Sequence, residues 1–232
     1  MHTGKGRVIE LVLEDGRRSA RLACPGHLIP SPGQYLLGAD APDAVLPVPL
    51  FYTDSAPSGV APAWRGTFGV APVPDSWQPG QEFHLRGPLG RGFALPLAAR
   101  RVALVAYDDA PSRLRGLIWP ALKQDAAVVL VSDYASDTLP DEIEVQPLSA
   151  LAEVCGWADY VALDVLRENL PGLRERLDAA PQLPALRGAQ VLVRTPVVCG
   201  GMAECGVCAV TVKSDWMLAC KEGPVFAWGE LV

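Results

Sequence analysis

The sequence predicts a small antiparallel β barrel, then an open α/β sheet, then a short cysteine-rich appendix. Three observations carry this prediction. Residues 6–96 hold six short apolar runs separated by Gly/Pro turns. Residues 100–194 alternate apolar strands with helical stretches. Four of the six cysteines fall between positions 199 and 220. Short strands broken by turn residues suit a closed barrel, which leaves no long open edge. Strands alternating with helices suit a parallel sheet. The expected boundaries are 1–97, 98–194 and 195–232.

The barrel strands begin with Val8–Leu13 and Ser19–Cys24, joined by the turn Glu14-Asp15-Gly16. Gln34–Leu37 follows the turn Pro32-Gly33, and Val45–Tyr52 and Arg65–Val70 come next. Glu82–Arg86 is opened by Pro79-Gly80. In the second unit Arg101–Ala106 and Ala127–Val131 read as buried strands, with a helix expected over Ser112–Gln124 between them. Val161–Leu163 and Gln190–Arg194 are further strands. Pro171–Ala179 is a helix with its proline in the first turn, where the missing N–H costs nothing.

Composition bounds the function. The 232 residues are half hydrophobic, with a net charge of −6 and no basic cluster, which argues against a nucleic-acid partner. No apolar run reaches the ~18 residues of a membrane span. The N-terminus Met-His-Thr-Gly-Lys-Gly-Arg lacks the apolar core of a secretory signal, so a cytoplasmic location is expected. There is no internal repeat, no Gly-x-Ser-x-Gly, no nucleophile triad and no histidine metal motif. His2, His27 and His84 are scattered and read as structural or surface residues. Cys24 and Cys155 lie in apolar surroundings and read as core residues.

The chemistry concentrates in Val198-Cys199-Gly-Gly-Met-Ala-Glu-Cys205-Gly-Val-Cys208, with Cys220 beyond a hairpin. The spacing is C-x5-C-x2-C-x11-C. Three close cysteines on a Gly-rich loop and a fourth further on fit a 2Fe–2S cluster, near the plant-type C-x4-C-x2-C…C pattern. Cys199, Cys205, Cys208 and Cys220 are the expected metal ligands. The amides of Gly200, Gly201 and Gly206 are the expected donors to sulfur. Structural zinc is an alternative, although such sites more often show two separated C-x2-C knuckles. A disulfide or plain core cysteines form a third. Glu204, the extra residue in the first gap, either lengthens the loop or lowers the cluster potential by its charge.

Two stretches resemble a known family. The cysteine loop with Cys220-Lys-Glu-Gly-Pro-Val-Phe226 resembles the cluster domain of the electron-transfer subunit of class B dihydroorotate dehydrogenase. Gly87-Pro-Leu-Gly-Arg-Gly-Phe93 resembles the end of that family's flavin-binding barrel. The resemblance implies a ferredoxin-reductase-like fold, an FAD on the barrel and a role in pyrimidine biosynthesis. It also implies a flavoprotein catalytic subunit as partner, in a heterotetramer of two catalytic and two electron-transfer subunits.

This chain departs from the implied cofactor sites. The family carries an Arg on the fourth barrel strand to grip the FAD pyrophosphate. Pro47-Val-Pro-Leu-Phe-Tyr-Thr53 puts Val48 or Leu50 there, and no apolar residue replaces a charge-assisted contact. Tyr52 and Thr53 remain as flavin contacts. The second phosphate loop aligns near Gly69–Pro72 and offers no hydroxyl. A nicotinamide site needs a Gly-rich turn after the first α/β strand. Here that turn is Tyr107-Asp-Asp-Ala-Pro-Ser-Arg113, with Asp109 placed to cap the next helix. No NAD binding is expected, and FAD binding is expected to be weak or absent.

The resulting reading is an iron–sulfur subunit relaying electrons between a partner flavoprotein and another carrier. It is part of an oxidoreductase complex rather than a stand-alone enzyme. The alternatives are an FAD-containing NAD(H) oxidoreductase with drifted motifs, and a non-catalytic scaffold with a structural metal. The cluster loop also carries Val198, Met202, Val207, Trp216 and Met217, which either line the cluster or form a docking face.

Overall fold

The structure, a computed structural model, describes residues 2–14, 17–40, 46–55, 67–134, 139–178, 184–213 and 215–231. The predicted turn residues Asp15 and Gly16 lie outside the described residues.

Six antiparallel strands close the barrel. They are β1 (His2–Glu14), β2 (Arg17–Ala23), β3 (Tyr35–Ala39), β4 (Val48–Ser55), β5 (Thr67–Ala71) and β6 (Glu82–Leu89), in the order β1-β2-β5-β4-β3-β6. Side chains alternate across each strand, so each strand feeds two sides. Leu36 and Leu50 point inward with Val8, Leu22, Phe68 and Leu85. Trp77, from the link between β5 and β6, packs on Phe83 with ring centroids 4.3 Å apart and fills the barrel. The neighbours Tyr35, Leu37 and Phe51 point outward into a second core shared with the α/β sheet.

That sheet contains five parallel strands. They are β7 (Arg101–Ala106), β8 (Ala127–Val131), β9 (Glu144–Gln146), β10 (Tyr160–Leu166) and β11 (Gln190–Arg194), ordered β11-β10-β7-β8-β9. Strands β7, β8, β10 and β11 are largely apolar on both faces because both faces are covered. Val102, Leu104, Val128 and Leu130 meet the barrel and α1 (Ile118–Lys123). Val105, Val129, Leu163 and Val191 meet α2 (Leu151–Trp157) and α3 (Leu170–Asp178).

The predicted helix over Ser112–Gln124 is not one helix. The segment makes two 3-10 turns, Pro111–Arg113 and Arg115–Leu117, before the six-residue α1. Gly116 explains the break. A Cβ there would lie 2.5 Å from the Tyr52 ring, so this backbone is pressed onto the barrel. Asp109 does not cap this segment either. Ala110 is the N-cap residue and no side chain caps it.

The C-terminal segment is knitted into both units. β12 (Ala209–Val212) and β13 (Asp215–Leu218) form a hairpin. β14 (Val225–Ala227) then adds antiparallel to β11 at the sheet edge, and α4 (Trp228–Leu231) follows it. Phe226 is 1% exposed and sits in the same core as Cys208, Val210 and Leu231. The two stretches that carried the family resemblance touch each other here. The Arg91 N–H donates to the Gly223 carbonyl at 2.5 Å, and a Cβ on Gly90 would fall 2.5 Å from that same oxygen. Gly90 has φ +74°, which explains why glycine is needed there.

Phe226 therefore fastens the cysteine segment to the sheet. Phe226→Ala is expected to lower the unfolding free energy by about 3–5 kcal/mol, the range for large-to-small core changes. Denaturant unfolding followed by tryptophan fluorescence measures it. A loss below about 1 kcal/mol would show that the segment is held by its loop contacts instead.

Candidate metal centre

The cysteine loop owes its shape to four residues in the left-handed region: Gly200 (φ +61°), Gly201 (+73°), Ala203 (+63°) and Gly206 (+70°). Consecutive residues of this kind turn amide hydrogens into a concavity that favours anions. The amides that point at sulfur are those of Met202, Glu204 and Cys205 to Cys199, and of Ala203 to Cys220. The glycines predicted as donors bend the loop, and their neighbours donate. Glu204 acts through its backbone, and its side chain is exposed. The Glu204 amide and the other donors lower the Cys199 thiol to about 6, which favours the thiolate that ligates metal. Burial raises Cys220 to about 12, and the neighbouring Cys208 adds to this.

The four sulfurs meet as two couples. Cys199 lies within hydrogen-bonding reach of Cys205, and Cys220 of Cys208. The couples adjoin, since the Cys199 charge is felt at Cys220. Among the described residues no three His, Cys, Asp or Glu side chains are arranged to hold a metal ion together. A 2Fe–2S cluster takes four thiolates divided between two irons, and two couples with backbone amides on Cys199 and Cys220 fit that group. Cys208 and Cys220 are buried, Cys199 is half-buried and Cys205 is exposed, so one side of the site faces outward.

Both larger units brace the loop. The Tyr35 hydroxyl on β3 donates to the Cys220 carbonyl at 3.1 Å. Arg86 on β6 lies 2.9 Å from where a Cβ on Gly200 would stand. From the sheet side, Arg167 donates to the carbonyls of Val207 (2.6 Å) and Ala209 (3.1 Å). Sequence reasoning missed these three residues, because each is more than thirty positions from the loop and belongs to no motif. Val198, Met202, Val207 and Trp216 are exposed, Trp216 at 61%, whereas Met217 packs against the sheet core.

The remaining cysteines sit apart. Burial raises Cys24 to about 11 and Cys155 to about 12. His2 and His27 pack edge to face, 5.2 Å apart.

Tyr52 and Thr53, the expected flavin contacts, are 6% and 3% exposed. Tyr52 is stacked on Phe68 and covered by Gly116, while a Cβ on Gly69 would meet the Thr53 hydroxyl at 2.4 Å. Their neighbour Phe51 lies under the Arg113 guanidinium, 5.5 Å from its ring centre. Neither Tyr52 nor Thr53 presents a free face to a flavin.

The nicotinamide position is filled by charge. In open α/β sheets ligands bind outside the strand C-termini, where the strand order reverses. Here that point lies between β7 and β10. Asp109, just beyond β7, is 3% exposed, and Asp164 at the end of β10 is 1% exposed. Arg113 donates to Asp109 (3.0 Å) and Asp164 (3.3 Å). Arg194 donates to Asp164 (2.8 Å) and Asp109 (3.2 Å) and pairs with Asp108. Arg17, reaching over from the barrel, pairs with Asp109. Burial raises Asp164 to about 6 against the pull of Arg113, and burial with the Arg17 charge lowers Arg194 to about 10.

Removing one member should strand the others. Asp109→Ala leaves Arg113 and Arg194 short of a partner and is expected to cost about 3–5 kcal/mol of stability, as broken buried ion pairs do. Urea unfolding at neutral pH measures it. A cost under about 1 kcal/mol would mean that Asp108 and Asp164 suffice.

Comparison with known proteins agrees with this geometry. Residues 197–232 match the family described as the iron–sulfur cluster binding domain of dihydroorotate dehydrogenase B. A search of curated proteins gives no significant match. Among solved structures, the chain is similar to an NADH-dependent reduced ferredoxin-NADP oxidoreductase studied for flavin-based electron bifurcation. The identity is 15% and the TM-score 0.69, covering 98% of this chain and 89% of that one. It is also similar to the ferredoxin reductase of carbazole 1,9a-dioxygenase (15%, TM-score 0.58, covering 79% and 67%). A third is the flavohem-like FAD/NAD binding domain of nitric oxide dioxygenase from Vibrio cholerae O1 biovar El Tor (14%, TM-score 0.55, covering 83% and 98%). The chain thus has the ferredoxin-reductase-like fold, and its last segment matches the iron–sulfur cluster binding domain of dihydroorotate dehydrogenase B.

Proposed function

We propose that this chain is the iron–sulfur electron-transfer subunit of an oxidoreductase complex whose catalytic partner resembles dihydroorotate dehydrogenase. The observation that supports it most is the pair of adjoining cysteine couples with backbone amides on Cys199 and Cys220. A 2Fe–2S cluster held by Cys199, Cys205, Cys208 and Cys220 would supply one-electron redox chemistry at this position. The chain's own residues do the rest. The amides of 202–205 favour charge on the thiolates, Tyr35 and Arg167 hold the loop, and the buried members keep water from Cys208 and Cys220.

Dinucleotide chemistry is absent from this proposal. The crevice beyond β7 and β10 is occupied by Asp109 and Asp164, which already neutralise the arginines that an anion would need. FAD, if it associates at all, lacks both its clamp at Val48 and open faces at Tyr52 and Thr53. The electrons must then enter and leave through partners. Val198, Met202, Val207 and Trp216, exposed around the cluster loop, have the aromatic and Met-rich character of an interface centre.

Spectroscopy on the chain purified anaerobically tests the cofactor. Iron and acid-labile sulfide are expected in equal amounts, with cluster absorption, no flavin bands and no saturable NADH binding by calorimetry. Cys208→Ser should abolish or reshape the absorption and the reduced-state EPR signal. Zinc without sulfide would overturn the reading, and stoichiometric FAD surviving gel filtration would favour an FAD-containing reductase. The partner is tested separately. Trp216→Ala is expected to weaken association with the native flavoprotein about tenfold or more, as loss of an interface anchor does, while leaving the cluster spectrum unchanged. Normal co-purification of this variant would move the docking surface elsewhere.

A further inference from the structure

Two arginines reach the cysteine loop, and they differ in their partners. Arg167, on the sheet side, pairs with Glu168 at 3.0 Å. Arg86, on the barrel side, has no ion pair or hydrogen bond among the described residues. The acidic residue in its own row of β6, Glu82, is already taken by Arg7 at 2.8 Å and by Lys5 at 3.8 Å. Arg86 is nevertheless half-buried. Its cross-strand neighbours are Thr3 on β1 and Leu37 on β3. One terminal nitrogen of its guanidinium lies 2.9 Å from where a Cβ on Gly200 would stand, and Pro47 flanks the same position at 3.4 Å. The guanidinium therefore lies against the backbone next to Cys199, and Arg86 and Cys199 line one cleft.

The Tyr35 hydroxyl gives a second bearing. Burial raises it most, the charges of Cys220, Cys208 and Cys199 raise it further, and Arg86 pulls it down. One hydroxyl thus lies within electrostatic reach of Arg86 and of three of the four proposed ligands. Arginine stays charged at any pH a protein meets. Keeping that charge partly out of water is unfavourable without an anion beside it. The anions on offer at this position are the thiolates of the loop. A 2Fe–2S cluster on four thiolates is already negative and gains one more negative charge on reduction, and its potential follows the net charge, hydrogen bonds and exposure around it. A fixed positive charge nearby stabilises the reduced form more than the oxidised one. The acidic residues of the cysteine segment, Glu204 and Glu222, have the opposite sign.

We propose that Arg86 poises the cluster: its guanidinium raises the reduction potential, so that the cluster accepts an electron from the partner flavoprotein more readily. This role rests on the electron-carrier reading above and deepens it by naming a residue that tunes the carrier. Arg86 lies outside the cysteine spacing and outside residues 197–232, the segment matched to the cluster-binding family. The barrel supplies it, so the barrel contributes to the redox chemistry as well as to the support of the loop.

The test is a redox titration of the full chain purified with its cluster, followed by the visible bands and the reduced-state EPR signal. At a fixed solution potential Arg86→Gln is expected to lower the ratio of reduced to oxidised cluster about tenfold, a downward shift of about 59 mV for a one-electron carrier. Arg86→Lys keeps the charge and is expected to restore most of that ratio. Thr3→Asp puts a carboxylate directly across from Arg86 without removing the guanidinium, and should shift the potential in the same direction. This variant decides the question if Arg86→Gln fails to hold a cluster, and an unchanged potential in it then overturns the proposal. An unchanged potential in a cluster-bearing Arg86→Gln also overturns it. So does an equal fall in Arg86→Lys and Arg86→Gln, which would trace the effect to packing rather than charge. If Arg86→Gln keeps its potential but binds the flavoprotein more weakly, Arg86 is a docking contact and the proposal fails. A wild-type chain without iron and sulfide overturns the electron-carrier reading itself, whereas a cluster indifferent to Arg86 overturns this role alone.

Discussion

Asp109 and Asp164, buried between Arg113 and Arg194, are the constraint on which much of this molecule depends. Charges this far from water are tolerated only when they are paired and hydrogen-bonded. Each carboxylate is shared by two guanidiniums, and Asp109 takes a third from Arg17 on β2. A crevice that would have to open and close around a dinucleotide becomes a joint between barrel and sheet. Arg113 reaches the barrel as well, since its guanidinium also covers Phe51. One buried network thus ties the turn after β7 to the barrel and to β10 and β11, and an anion in the crevice would have to outbid two carboxylates already in place.

A fixed joint has a consequence for the cysteine loop. The loop touches the barrel at Tyr35, Arg86 and Gly90 and touches the sheet at Arg167 and β14. If barrel and sheet shifted against each other, these contacts could not all persist. Electron transfer depends steeply on distance, so a carrier benefits from a loop that its supports hold still. The apolar residues around the loop are free to meet a partner because the loop's own fastening is made by backbone and polar contacts beneath it.

Much of the barrel was legible because its signal is local. Alternation and Gly/Pro turns located all six strands, although β1 begins six residues before the predicted Val8, and the predicted strand residues Val45, Arg65 and Gly66 lie outside the described residues. The buried strands β7, β8 and β11 were read to the residue, since continuous apolar runs leave little choice. The short edge strand β9 and helix α2 were missed, because Glu144–Gln146 carries no apolar pattern and α2 has only seven residues. The predicted helix after β7 failed for a tertiary reason: Gly116 must lie against Tyr52, which no periodicity records. At the site, the four cysteines named by spacing come together in two couples, and the amides that favour charge on Cys199 and Cys220 are those of 202–205. Glycine marks where a loop bends, and the bend aims the amides of the residues that follow.

The barrel and sheet also serve the cysteine segment directly. A segment as short as residues 197–232 buries too little surface to fold alone; below about 40 residues a domain usually needs metals, disulfides or a partner surface. Here Phe226, Trp228 and Leu231 supply an apolar anchor, but only because α2, α3 and the sheet receive them. β14 completes its hydrogen bonds only on the free edge of β11. The barrel then contributes the hydroxyl of Tyr35 and the carbonyl-to-amide link at Gly223 and Arg91. Cluster binding and tertiary support therefore act on the same loop, each lowering the entropy that the other must overcome. The barrel and sheet thus provide the surface without which four cysteines on a flexible loop would not be held as two adjoining couples.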